Sequence, residues 1–117
     1  MTLVYRIAKK DSFSEGLYTS NVSCNLFDLG GCHPEPRKDT GIAAIWKELG
    51  TELLFGFGSI SQLMQWVHKE EWRKGLDLEG YIIYVVKPLG AYAIGETQAV
   101  FRIREYEILN TISLDTL

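Results

Sequence analysis

Six consecutive residues, Tyr81-Ile-Ile-Tyr-Val-Val86, are β-branched or aromatic and carry no charge. A strand without a polar face belongs in the middle of a sheet, so the rest of the chain must supply its neighbours. Lys87-Pro88-Leu89-Gly90 follows as a turn, with proline at the position whose φ it fixes and glycine at the fourth. Ala91 to Ile94 then reads as a strand and Gly95-Glu96 as a second turn. From Thr97 to Arg104, Ala99, Phe101 and Ile103 alternate with Gln98, Arg102 and Arg104. The pattern predicts a meander of antiparallel strands, with Tyr106 to Leu109 or Ile112 to Leu114 adding a last edge strand.

The N-terminal part supplies an opening strand, Thr2 to Ala8, in which Leu3, Tyr5 and Ile7 alternate with Val4 and Arg6. From Lys9 to about Thr40 periodicity is lost among Gly16, Asn21, Asn25, Gly30, Gly31, Pro34 and Pro36, and a short helix is expected within Phe13 to Ser20. A loop of that length in a small domain is usually functional or mobile. Asp39 to Gly50 predicts a helix, with Ile42, Ile45, Trp46 and Leu49 at helical spacing and Gly50 as its stop. Leu53 to Phe57 reads as a buried strand. Ser59-Ile-Ser-Gln62 is a capping box, and Ile60, Leu63, Met64 and Val67 behind it define one buried stripe with Trp66 at its flank. Helical character continues from Glu70 through Trp72 and Leu76 to Gly80. The expected fold class is α+β, an antiparallel sheet of four to six strands with two or three helices packed on it, residues 1–117 forming one domain.

Twelve basic against fifteen acidic side chains give a net charge of −3, which disfavours nucleic acid as a partner on charge alone. No apolar run reaches the ~18–20 residues that span a bilayer. The first residues lack a secretory pattern, so a soluble cytoplasmic protein is expected. In such a compartment Cys24 and Cys32 are expected as thiols. Together with His33 and His68 they match the ligand count of a zinc site, but their spacing fits no paired ligand pattern, and neither metal nor cofactor is expected. Neither histidine has an acid and a nucleophile at a recognised spacing, so a loop or surface role suits both.

Two places invite a binding role. The amides of Gly56-Phe57-Gly58-Ser59 open a helix and can hold a phosphate, although glycines at a tight turn ordinarily serve the backbone alone. Arg6, inside a strand, must face solvent, pair with an acid or hold an anion, since burial alone costs several kcal/mol. The order Arg6, Gly58-Ser59-Ile-Ser61, Glu96-Thr97-Gln98 resembles the arginine, serine and glutamate series of mono-ADP-ribosyltransferases. That resemblance implies an arginine on dinucleotide phosphates and a carboxylate on the nicotinamide ribose. Here Gln98 stands where the catalytic carboxylate should be, and a neutral amide cannot supply its charge. The resemblance therefore implies nucleotide binding before turnover. An NAD-dependent transferase using Arg6, Ser59 and Glu96 is the enzymatic alternative.

A broader resemblance runs nearly the whole chain. Tyr5-Arg6-Ile7, Gly16-Leu17-Tyr18, His33-Pro34-Glu35-Pro36-Arg37-Lys38-Asp39, Phe55-Gly56-Phe57-Gly58-Ser59 with Gln62-Leu63 and Trp66, Gly80 before a Tyr-rich strand, and Gln98-Ala99-Val100-Phe101 resemble a group of small bacteriophage and prophage proteins. In size and acidity the chain is also similar to phage inhibitors of bacterial defence, including anti-CRISPR proteins and sponges for nucleotide signals. This resemblance implies a non-enzymatic accessory protein of the host cytoplasm that binds a host protein or a nucleotide, with a phage structural or regulatory protein as the plainer alternative. The expected binding surface combines Arg6, the loop residues His33, Arg37 and Lys38, the helix start at Gly58 and Ser59, and Glu96 and Gln98. The sequence leaves the oligomeric state open.

Overall fold

A computed structural model describes residues 2–16 and 41–117, and these contain seven strands and three α-helices. In chain order they are β1 Val4–Lys9, β2 Ser12–Gly16, α1 Ala43–Leu49, β3 Leu53–Gly56, α2 Ile60–Trp66, α3 Glu70–Leu78, β4 Tyr81–Pro88, β5 Tyr92–Ile94, β6 Ala99–Arg102 and β7 Tyr106–Ile112. Short 3₁₀ turns at Gly50–Glu52 and Leu114–Thr116 complete the set. The α+β class is as expected, but the strands divide into two antiparallel sheets, ordered β2-β1-β4-β7 and β3-β6-β5.

The division corrects the predicted meander. β4 is central, as its uncharged run requires, yet its neighbours are β1 and β7, not β5. After Pro88 the chain crosses to the other sheet, where β5 and β6 form a hairpin and β6 pairs with β3. Alternation along β1 and β4 then points one set of side chains at each of two covering layers. Val4, Ala8, Tyr84 and Val86 pack against Ala99 and Phe101 of the second sheet. On the opposite face Ile7, Tyr81 and Ile83 pack with Leu63, Trp66 and Val67, and with Leu76 of α3. The outer face of the second sheet, represented by Leu53 and Val100, is covered by Ile42 and by Ile45, Trp46 and Leu49 of α1. The layers are thus helix, sheet, sheet and helices, each apolar face buried against the next.

The sheets are joined at one corner. Phe57, just past β3, makes an isolated antiparallel bridge to Tyr5, with amide-to-carbonyl distances of 2.8 Å in both directions. A Cβ on Gly56 would lie 2.4 Å from Val4 Cγ1 and 3.0 Å from the Tyr5 carbonyl oxygen. Only glycine permits that approach, so Gly56 belongs to the corner and not to a ligand site. The opposite sides remain open, with β5 and β7 as the outermost strands among the described residues. β7 carries a bulge at Leu109: Val85 pairs with Asn110 and Val86 with Ile108. The Thr111 amide donates to the Oδ1 of its own neighbour, Asn110, at 2.8 Å.

Ser12–Gly16 is a strand where a short helix was expected within Phe13 to Ser20; the rest of that segment lies outside the described residues. Its pairing is irregular. Lys9 faces Ser12 and Ala8 faces Gly16, so Phe13, Ser14 and Glu15 bulge from the ladder. Other expectations hold. The helix before Gly50 ends there at φ 27°, a conformation that favours glycine. Ser59 caps α2 by accepting the Gln62 amide at 3.0 Å, and the last edge strand starts at Tyr106, as one of the two alternatives had it, but runs beyond Leu109 to Ile112. The region from Ile60 to Gly80 is two helices. Arg73, buried in α3, joins them by donating to the carbonyls of Val67 at 2.8 Å and His68 at 2.9 Å, in the link just past the end of α2.

Tyr84 ties the β1 end to β4. Its hydroxyl donates to the Lys9 carbonyl at 2.7 Å and lies 3.1 Å from that of Lys10. Burial raises its pKa, with nearby Asp11 acting in the same direction and Arg6 opposing. The native state therefore keeps this proton longer than the unfolded chain does. Its contribution is complete below the ordinary tyrosine value of about 10 and is lost as pH rises through the raised native value. Tyr84→Phe should lower stability by about 1 kcal/mol at neutral pH. Urea midpoints should converge with those of the parent above pH about 10; parallel curves throughout would contradict this account.

Candidate binding face

The residues expected to hold an anion are engaged inside the fold. Arg6 is 2% exposed. Its Nε donates to the Phe13 carbonyl at 3.0 Å, its Nη2 to that of Ser14 at 3.1 Å, and its Nη1 to that of Phe55 at 2.7 Å. The first two carbonyls belong to the bulge of β2 and the third to β3, so the guanidinium sits where the free edge of β1 passes from one partner strand to the other. Phe13 also lies over the cation, 5.2 Å from ring centroid to Cζ. Burial lowers the Arg6 pKa to about 10, opposed by Tyr106 and Tyr84, which leaves the group charged at neutral pH. None of the three fates expected for it (solvent, an acid or an anion) is the one observed. Arg6 instead satisfies backbone carbonyls that the broken ladder leaves without partners.

The Gly58-Ser59 helix start is closed in the same way. Gln62 Oε1 accepts the Gly58 amide at 2.8 Å, one residue earlier than a regular capping box, while its Nε2 donates to the Gly95 carbonyl at 2.9 Å. Trp66 is 1% exposed, in the core rather than at its flank, and its indole N–H donates to the Thr97 carbonyl at 2.9 Å. These two bonds fasten α2 to the turn from Gly95 to Gln98, itself closed by a 2.8 Å bond from the Gly95 amide to the Gln98 carbonyl. Ser59, Glu96 and Gln98 therefore do come from adjoining segments, but Glu96 is exposed whereas Gln98, expected on a polar face, is buried at 1%. Arg6 reaches Phe55, on the other side of the corner at Phe57. His68 is exposed and meets Trp72 edge-on at 5.1 Å. His33, Arg37, Lys38, Cys24 and Cys32 lie outside the described residues.

The open side of the sandwich offers a different surface. Leu89, Tyr92 and Ile94 are 59%, 44% and 41% exposed, all on the turn after β4 and on edge strand β5. Tyr92 pairs with Phe101 and Ile94 with Ala99, so both side chains share the sandwich side of the sheet at its margin. A second turn abuts the first: the Leu89 amide donates to the Glu105 carbonyl at 2.8 Å, and the Arg102 amide to that of Ala91 at 3.0 Å. Within this second turn the Glu105 amide donates to the Arg102 carbonyl at 3.2 Å, and Arg104 occupies its third position with φ 71°. Arg102 is paired with Glu105 at 3.1 Å and Glu52 at 3.6 Å. Arg104 is exposed and has no ion pair among the described residues. Sequence reasoning passed over this face because Leu89 and Tyr92 look like any turn and strand residues until β5 is known to be an edge.

No group of three or more metal-ligating side chains occurs among the described residues, and no described helix is long and apolar enough to cross a membrane. No curated protein matches the chain significantly. No solved structure does so either. The family model described as "Bacteriophage T4 Y00F protein" matches residues 1–115, nearly the whole sequence. That match agrees with the order of residues from Tyr5 to Phe101 that pointed to small phage proteins, and the mono-ADP-ribosyltransferase resemblance gains no support from it. The chain belongs to the bacteriophage T4 Y00F protein family.

Proposed function

We propose that this phage protein is a non-enzymatic accessory factor that works in the host cytoplasm by binding a host protein, blocking a component of bacterial defence. The observation that carries the reading is the contrast between its polar and apolar groups. Arg6, Gly58 and Ser59, which a nucleotide pocket would need, are committed to internal hydrogen bonds. Leu89, Tyr92 and Ile94 meanwhile stand out along one edge. Clustered exposed apolar and aromatic side chains are the usual anchors of protein interfaces. The Leu89 to Ile94 edge accordingly replaces the pocket around Arg6 as the contact surface, and a host protein is favoured over a nucleotide.

Affinity capture from infected host lysate tests this, with Tyr92→Glu/Ile94→Lys as the paired control. A single host protein should be retained by the parent and lost from the folded double variant. Phage lacking the gene should plate poorly only on hosts carrying the targeted defence system. Co-purification with virions would instead assign a structural role. Transfer of label from NAD to a host protein, abolished by Glu96→Gln, would make the protein an enzyme and end this reading.

A further inference from the structure

We draw no further inference here: the strongest candidate, the exposed apolar margin of Leu89, Tyr92 and Ile94 along edge strand β5, belongs to the contact surface already described, and nothing in the structure shows what covers it.

Discussion

Replacing Arg6 with methionine should cost about 3–5 kcal/mol of stability, a large part of the ~5–15 kcal/mol that holds a domain of this kind together. The substitution keeps the volume of the aliphatic stem but removes donors to Phe13, Ser14 and Phe55 at once. Hydrogen bonds from a charged donor contribute about 1.5–3 kcal/mol each, and relief of the cation's burial returns part of the total. Arg6→Lys should recover little, because an ammonium on a flexible stem cannot span three carbonyls arranged for a planar fork. The depressed pKa has a definite sign. Charge on Arg6 is disfavoured by burial at neutral pH, and the native state loses this proton before the unfolded chain does as pH rises past about 10. Relief of that penalty above pH about 10 is opposite in sign to the Tyr84 effect, so the two variants should separate in alkaline urea titrations. A midpoint for Arg6→Met within about 1 kcal/mol of the parent would show that the carbonyls find other partners.

Trp66→Ala should be comparably severe, at about 3–5 kcal/mol, for a different reason. The indole lies in the core with Phe57, ring centroids 5.5 Å apart, beneath the face of the sheet that carries Ile7, Tyr81 and Ile83. Truncation opens a cavity between α2 and that sheet. It also frees the Thr97 carbonyl, to which the indole N–H donates, and so loosens the turn that leads into β6. Trp66→Phe separates the two contributions, retaining most of the ring volume without the donor, and should cost about 1–2 kcal/mol. Equal losses for the alanine and phenylalanine variants in chemical denaturation would mean that the hydrogen bond dominates and the packing account is wrong.

Features that depend on neighbours in sequence were legible before the fold was known. The Ser59 cap, the stop at Gly50 and the central position of Tyr81 to Val86 each follow from a few adjacent residues. Even Trp66 had a readable signal, since it stands three residues beyond Leu63 and next to Val67, within a stripe of ordinary width. The partition into two sheets had none. β4 and β5 are separated by a short turn of the kind that joins hairpin partners, and only the competition of β1 and β7 for both edges of β4 sends β5 elsewhere. Arg6 was singled out correctly as a residue that needs a partner, yet its partners are main-chain oxygens, which leave no trace in side-chain identity. One of them is 49 positions away. The exposed edge at Leu89, Tyr92 and Ile94 was hidden for the same reason, because a strand becomes an edge only when all its rivals have been placed.

The bulge at Leu109 and the Asn110 side chain on the Thr111 amide bear on how the protein behaves in a crowded solution. A seven-residue outer strand with Ile108 and Leu109 partly exposed would ordinarily be a template for cross-β stacking between copies. Here the ladder loses its even spacing midway, and one amide is already occupied by the strand's own side chain. An approaching strand finds no continuous row of donors and acceptors to copy. The same molecule can thus leave apolar side chains on show for recognition at β5 while its longer border resists growing into a fibril.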